Sequence, residues 1–258
     1  MKTVILVATH KEYKMPSDSL YAPIHVGKAL SNLALPYLGD NTGDHISEKN
    51  PYYCELTALY FAWKNMDADY MGLAHYRRHF TLHKPLFIKK DKFSCLLTKQ
   101  EAETLLKEHD ILLPKKRNYF IETGYSQYVH AHPAEPLLKI KELIHTLYPE
   151  YESAFHQVMN SKKAHRFNMF VMKKEILDDY CSWLFSLLFA LEKDLDISSY
   201  DTYNKRVYGF LSERLLDVYL IKHNLSYKEL PVLFMEKENW VKKGFAFLKR
   251  KFINGSKS

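Results

Sequence analysis

The stretch YMGLAHYRRHF, residues 70–80, constrains this chain more than any other. Residues 70–74 are short and apolar and follow the turn-prone NMDAD, so they read as a buried strand. The next four residues, His75, Tyr76, Arg77 and Arg78, bring two permanent cations to the C-terminal end of that strand. In open α/β sheets this end borders the ligand crevice. Arg presents a planar fork of donors to phosphate oxygens, while Tyr and His stack on rings or carry protons. On spacing alone two readings stay open, a phosphate-binding strand end and a solvated basic turn.

The same pattern recurs. Residues 1–8, MKTVILVA, read as a first strand ending in Thr9, His10 and Lys11. If the two strands are neighbours in one parallel sheet, these residues stand beside Arg77 and Arg78. Residues 111–113 form a third short strand, closed by the basic PKKR at 114–117. Between the first two strands, Pro16, Pro23 and Pro36 break the chain into a loop, a brief helix within 29–35 and a second loop. Residues 37–49 are rich in turn formers. Asp40, Asn41 and Asp44 either bond a ribose, a base edge or an acceptor hydroxyl, or serve as turn residues only. Asn50 followed by Pro51 starts a helix that runs to about Lys64, with Leu56, Leu59, Tyr60 and Trp63 on its packed face. Tyr52, Tyr53 and Glu55 lie at its N-terminal end, within reach of a ligand.

Farther on, residues 84–92 are basic and irregular, and a helix covers 99–109. Residues 119–132 are aromatic and polar without periodicity, which suits a binding loop. His130 and His132 form an HxH pair that could ligate a metal from a strand, but no third ligand stands at a recognisable spacing; acceptor contact or solvent exposure is the alternative. Helices are expected over 137–147 and 151–159, and a strand over 167–172, preceded by His165 and containing Asn168. Residues 174–195 carry a leucine-rich stripe of core residues. In the last helix, Val207, Phe210, Leu211, Leu215 and Val218 face the core, while Arg206, Gly209 and Glu213 share another face, because seven residues make nearly two turns. A small Gly beside an Arg and a Glu leaves room for a ligand; the alternative is an exposed polar face with a salt bridge.

Hydrophobic residues at 47% and charged residues at 26% of 258 describe a globular chain. We divide it into a main domain, 1–230, and a tail, 231–258. The net charge of +7 favours anionic partners: nucleotide diphosphates, acidic lipid headgroups or nucleic acid. The basic residues gather at strand ends and no RNP, KH or helix-turn-helix pattern occurs, which counts against nucleic acid. Three widely spaced cysteines without a CxxC pair indicate neither a disulfide framework nor a zinc knuckle and fit a reducing cytoplasm. No apolar run reaches the ~20 residues of a membrane span. The tail segment WVKKGFAFLKRKF, 240–252, interleaves aromatics with cations and reads either as an interfacial helix on an anionic leaflet or as a solvated helix.

Phrases over nearly the whole chain resemble one family. VATHK at 7–11, GDNTGD at 39–44, ISEKNPYYCELTALYFAWKN at 46–65, YMGLAHYRRHF at 70–80, ILLPKKR at 111–117, FNMFVMKK at 167–174 and YGFLSERLL at 208–216 are similar to the bacterial family known as domain of unknown function 4422. Its members resemble glycosyltransferases encoded in capsule, exopolysaccharide and lipopolysaccharide loci. The resemblance implies an α/β, GT-A-like, Rossmann-related nucleotide-sugar-binding domain with a mixed, mainly parallel sheet flanked by helices, plus a helical C-terminal appendage. It implies transfer of a hexosyl residue from a UDP-sugar, with UDP-galactofuranose a candidate, to a lipid-linked (undecaprenyl-diphosphate) oligosaccharide. The enzyme would sit peripherally on the cytoplasmic face of the plasma membrane.

On that reading Thr9, His10, Lys11, Asp40, Asn41, Tyr76, Arg77 and Arg78 take the nucleotide sugar. His130, His132, His165, Asn168 and Arg206 line the acceptor side. Glu213 is the first choice for the base that removes the acceptor proton, with Asp44 and His75 as fallbacks. The chain departs from the usual GT-A pattern at one point: no DxD metal motif closes the central strand. Asp67 and Asp69 spell DAD but precede the strand, so cations stand where a divalent ion, Mn or Mg, usually neutralises the leaving diphosphate. No metal site is assigned. An inactive nucleotide-sugar-binding module and a basic nucleic-acid-binding protein are the rival classes.

Overall fold

Residues 4–8, VILVA, contain nothing that must face water, as expected of a parallel strand covered on both sides. In a computed structural model, which describes residues 1–84 and 91–236, they form the centre of β1 (Thr3–Thr9). Parallel strands β2 (Tyr21–His25) and β4 (Tyr70–His75) flank it. Beyond β2 lies the short parallel β3 (Leu38–Gly39). On the other side β4 pairs antiparallel with β9 (Phe170–Lys173), then β9 antiparallel with β6 (Ile111–Pro114), and β6 parallel with β10 (Lys228–Leu230). A side arm of β5 (Arg78–Phe80) and β11 (Val232–Phe234) hangs antiparallel from the end of β4. The described strands thus build a mixed, mainly parallel sheet, with the pair β7 (Arg117–Asn118) and β8 (Lys163–Ala164) apart from it.

Strand alternation assigns the side chains to two cores. Leu6, Ala8, Met71, Leu73, Phe170 and Met172 face one side, and Ile5, Val7, Ala74, Leu112 and Val171 the other. The first face is covered by α2 (Leu56–Asn65), α7 (Lys174–Asp194) and, farther out, α5 (Glu135–Leu147), α6 (Glu152–Asn160) and α8 (Val207–Lys222). Leu177, Leu184, Leu188 and Leu191 of the expected stripe are fully buried. The second face is covered by α3 (Lys99–Leu105) and the side arm. Gly72 is required by packing: a Cβ there would lie 2.6 Å from the Phe170 carbonyl oxygen.

Four local expectations change. Residues 21–25 form a strand, not a loop; Pro23 is tolerated because β3 pairs only with Ile24 and His25, so its outer edge carries no ladder. The helix expected over 50–64 breaks into α1 (Asn50–Tyr53) and α2 at Cys54, whose φ is 55°. Asn50 does not cap the start; its Nδ2 donates to the Cys54 carbonyl (2.8 Å) and Thr57 Oγ1 (3.2 Å), holding the break. Within the aromatic 119–132 stretch lies a helix, α4 (Gly124–Ala131), closed by a reciprocal Thr123–Ser126 capping box. Finally, β11 carries the sheet past residue 230 to Phe234. Residues 85–90 of the basic segment and 237–258, including the aromatic and basic 240–252, lie outside the described residues. Among the described residues no helix is long and apolar enough to cross a membrane.

Candidate active site

Because β1, β4 and β6 run the same way, their three basic ends meet at one edge of the sheet. Ala8 is in register with His75 and Thr9 with His25, so His10 and Lys11 emerge next to Tyr76 and Arg77. The antiparallel β9 starts at this same edge, which places residues 166–168 there as well. The break at Cys54 brings Glu55 to it from the helical layer. The result is a cleft of about 280 Å³ walled by His10, His75 and Arg77 from the strand ends, Cys54 and Glu55 from the break, and Arg206 from the start of α8.

Four cationic or imidazole groups, His10, His75, Arg77 and Arg206, and one carboxylate, Glu55, define the cleft electrostatically. Arg206 donates from Nε to Cys54 Sγ at 3.1 Å. Burial and the neighbouring Glu55 push the Cys54 thiol up to about 12, so it stays neutral. Burial also lowers His75 to about 2, helped by Arg78 and Arg77, and lowers His10 in the same sense, helped by Lys11 and Arg77. Both imidazoles are therefore neutral at pH 7. His75 Nδ1 accepts the Arg77 amide at 3.3 Å. Arg77 and Lys11 both approach Glu236, at 3.8 and 3.9 Å, so the chain just after β11 rests beside the cationic wall.

Glu55 is held by Asn168. Asn168 Nδ2 donates to Glu55 Oε1 (3.1 Å) and to the Gly209 carbonyl (3.2 Å), while its Oδ1 accepts from Ser212 Oγ (2.6 Å). Glu213 stands one residue farther along α8. Burial and the nearby Glu55 raise its carboxyl above the usual range, against the pull of Arg214, Arg78 and Arg166. Glu213 does not line the cleft, but it lies close enough to Glu55 for the two carboxylates to interact. Glu55 faces the cleft directly, although in sequence it sits inside what reads as an unbroken helix.

The remaining expected residues part company. Thr9 is fully buried and shapes the turn, accepting the Lys11 amide and donating to the Lys11 carbonyl at 2.7 Å. Asp40, also fully buried, accepts the Gly27 and Lys28 amides (2.9 and 3.1 Å) and the Ser47 hydroxyl, so its oxygens are committed to the loop. Asn41 neighbours Gly39 and does not line the cleft. Asp44 accepts from Tyr60 (3.1 Å) and its amide bonds Asn65, placing it at the C-terminal end of α2, away from Glu55 at the other end. Tyr76 is buried between His10, Tyr13 and His75, so its ring is packed by protein. Arg77 and Arg78 diverge, Arg77 to the cleft and Arg78 to the Phe167 ring, 4.0 Å away.

On the expected acceptor side only Arg206 reaches the cleft. His165 is buried and locked between Asp217 and Glu229 (3.0 Å), tying α8 to β10. His130 pairs with Glu122 at 2.6 Å, while His132 stacks on Phe210 and bonds Asn204 at 3.2 Å; on a helix end the two imidazoles take different partners and do not converge. The space beside Gly209 is filled, since a Cβ there would meet Cys54 Sγ at 3.1 Å. Asp67 and Asp69 precede β4, at the opposite edge, where Asp69 accepts the Lys2 amide at 2.7 Å. A divalent ion does not fit the cleft: its wall is cationic or imidazole, and the one carboxylate facing it already accepts from Asn168. Among the described residues no three His, Cys, Asp or Glu side chains converge as metal ligands.

A mixed, mainly parallel sheet flanked by helices, with its cleft at the carboxyl ends of the central strands, defines the GT-A-like class. Within that class the chain belongs to the family described as domain of unknown function DUF4422, matched over residues 4–224. It is similar to the apo structure of WbbM, a bifunctional glycosyltransferase, with a TM-score of 0.83 and 34% identity over 92% of this chain and 46% of that one. The chain thus spans about half the length of that protein. No curated protein matches it.

Proposed function

We propose that the chain is a glycosyltransferase that moves a hexosyl residue from a UDP-sugar to a glycan acceptor. The observation that carries this reading is the convergence of His10, Arg77 and Arg206 with Glu55 in one cleft at the carboxyl ends of β1 and β4. A diphosphate leaving group needs fixed positive charge where its own charge develops, and Arg77, Arg206 and Lys11 supply it without reorganisation. A neutral His10 or His75 adds a hydrogen bond without adding charge. In an inverting transfer a carboxylate takes the acceptor hydroxyl proton. Glu213, with its raised proton affinity, remains our first choice for this base, and Glu55, nearer the cleft, positions the acceptor hydroxyl beside it.

The family resemblance supports one choice of donor sugar and acceptor to test first. We propose UDP-galactofuranose as the first donor to try, and a lipid-linked oligosaccharide of cell-surface polysaccharide synthesis as the acceptor, reached from the cytoplasmic membrane face. The deciding experiment is the thermal midpoint of the protein with UDP, in EDTA and in manganese. A nucleotide at ~100 times its dissociation constant adds about 2.7 kcal/mol to the folded state. Equal stabilisation in EDTA and manganese, lost in Arg206→Ala and Arg77→Ala, is the expected result. Stabilisation that requires manganese would overturn the cationic account, and no response to any uridine nucleotide would overturn the transferase reading. Binding with no turnover across donors and acceptors would leave a nucleotide-sugar-binding module.

A further inference from the structure

Beside the cleft lies a second group of arginines that this account leaves unused. Arg78, Arg117 and Arg166 come from β5, β7 and the segment before β9, and all three are only partly exposed. Phe167 is their platform: its ring centroid lies 4.0 Å from the Arg78 guanidinium carbon and 5.1 Å from that of Arg117. The two guanidinium carbons are therefore within about 9 Å of each other, at contact distance for one ligand carrying several oxygens. Arg166 stacks on Tyr119 at 3.5 Å. Such stacking fixes a guanidinium in orientation through its face, so that a ligand meets it at the in-plane edge.

Arg78 and Arg166 have no carboxylate within 4.0 Å among the described residues, and the buried Nε of Arg166 has no hydrogen-bond acceptor. Half-buried cations left in this state are costly. Their pKa values report it: burial, with Arg214 and Arg117 nearby, lowers Arg166 to about 9, and burial lowers Arg78. The backbone adds a second sign. Phe167 adopts φ 81°, a left-handed conformation that bulky residues avoid, and its neighbour Asn168 is the residue that holds Glu55. Strain is thus spent at the position that presents the aromatic platform.

We infer that Arg78, Arg117 and Arg166, stacked on Phe167 and Tyr119, form a second phosphate-binding site, separate from the cleft of His10, Arg77 and Arg206. Glu55 and Glu213 link the two, since both lie in the field of Arg78. Resting on the transferase reading, the inference deepens it: the second site takes a phosphate or diphosphate carried by the acceptor, so that donor and acceptor anions flank the carboxylates. Arg suits this task better than Lys because several guanidinium forks match phosphate oxygens bidentately. The other source of the same chemistry is the diphosphate of the nucleotide itself.

Calorimetric titration of inorganic pyrophosphate into the full chain, without and with saturating UDP, separates these sources. The expected result is a pyrophosphate site that persists when UDP is bound, weakened about tenfold or more by Arg166→Gln, while the UDP-induced rise in thermal midpoint stays as in wild type. Loss of all pyrophosphate binding on adding UDP would assign the arginines to the nucleotide and overturn the inference. Unchanged pyrophosphate affinity in Arg166→Gln would overturn it too. Should Arg166→Gln fail to fold, Arg117→Gln on the short β7 strand makes the same comparison. A protein that ignores UDP yet binds pyrophosphate through Arg166 would uphold the second site while the transferase reading falls.

Discussion

Asn168 is the joint on which the placement of Glu55 depends, and truncating it has a calculable effect. Asn168→Ala removes three hydrogen bonds, but not three equal ones. Ser212 Oγ keeps its bond to the Gly209 carbonyl at 3.0 Å, so that hydroxyl and that carbonyl stay paired. Their loss of the amide costs about 1 kcal/mol. Glu55 loses the amide donor recorded on its Oε1, a bond to a charged group worth roughly 1.5–3 kcal/mol. The sum is about 3 kcal/mol, which lowers the thermal midpoint by roughly 5–10 °C for a chain of this size. Asn168→Asp keeps the volume but faces a second carboxylate toward Glu55. Like charges so close cannot both ionise, so the pair retains a proton and its folded pKa rises. Stability then falls as pH rises through that pKa, because the unfolded chain gives up the proton sooner. Scanning calorimetry at pH 5 and 8, with turnover beside it, checks this. We expect kcat to fall in both variants with little change in KM for the donor. An Asn168→Asp protein as stable and as active as wild type at pH 8 would refute the reasoning.

Two further predictions concern protons. Glu213 has a raised folded pKa, so the stability it contributes is present below its unfolded value and is lost as pH rises through the folded one. Glu213→Gln should therefore be more stable than wild type, by urea titration, at pH above that folded value, and should lack the limb of the pH–rate profile that rises with pH as the base ionises; wild-type activity in that variant would exclude Glu213 as the base. His79 behaves oppositely. It is fully buried against Tyr21, burial lowers it to about 4, and the Tyr76 carbonyl offsets this only in part. Its contribution is present above pH 6.5 and lost as pH falls through about 4, on the order of 3 kcal/mol. His79→Phe should flatten the acid limb of stability between pH 6.5 and 4, and an unchanged acid midpoint would show that other groups carry it.

Much of the frame was legible from local pattern. The apolar runs of β1, β4 and β6, each closed by polar or basic residues, announced parallel strands with a cationic edge, since both burial and charge are written in consecutive residues. The leucine stripe of α7 was equally plain, because a helical face repeats within a few residues. Arg77 and His10 fell into the cleft for the same reason: they terminate strands whose neighbours could be read.

What only tertiary structure decided was the destination of polar side chains far apart in sequence. Nothing in the NPYYCELTALYF pattern signals the turn at Cys54, because the apolar period runs through it; the break is held by Asn50 and by packing of Cys54 on Gly209. That turn is what delivers Glu55. Asp40, Thr9, His165 and Asn168 have the chemistry of ligand contacts, yet each bonds protein groups, because a buried polar atom must find a partner and the fold supplied one. Arg78 and Arg166 show the reverse, cations stacked on aromatic rings, with the buried Nε of Arg166 left without an acceptor among the described residues. Sequence by itself determined which residue types reach the sheet edge, and the three-dimensional pairing determined which of them remain available for a ligand.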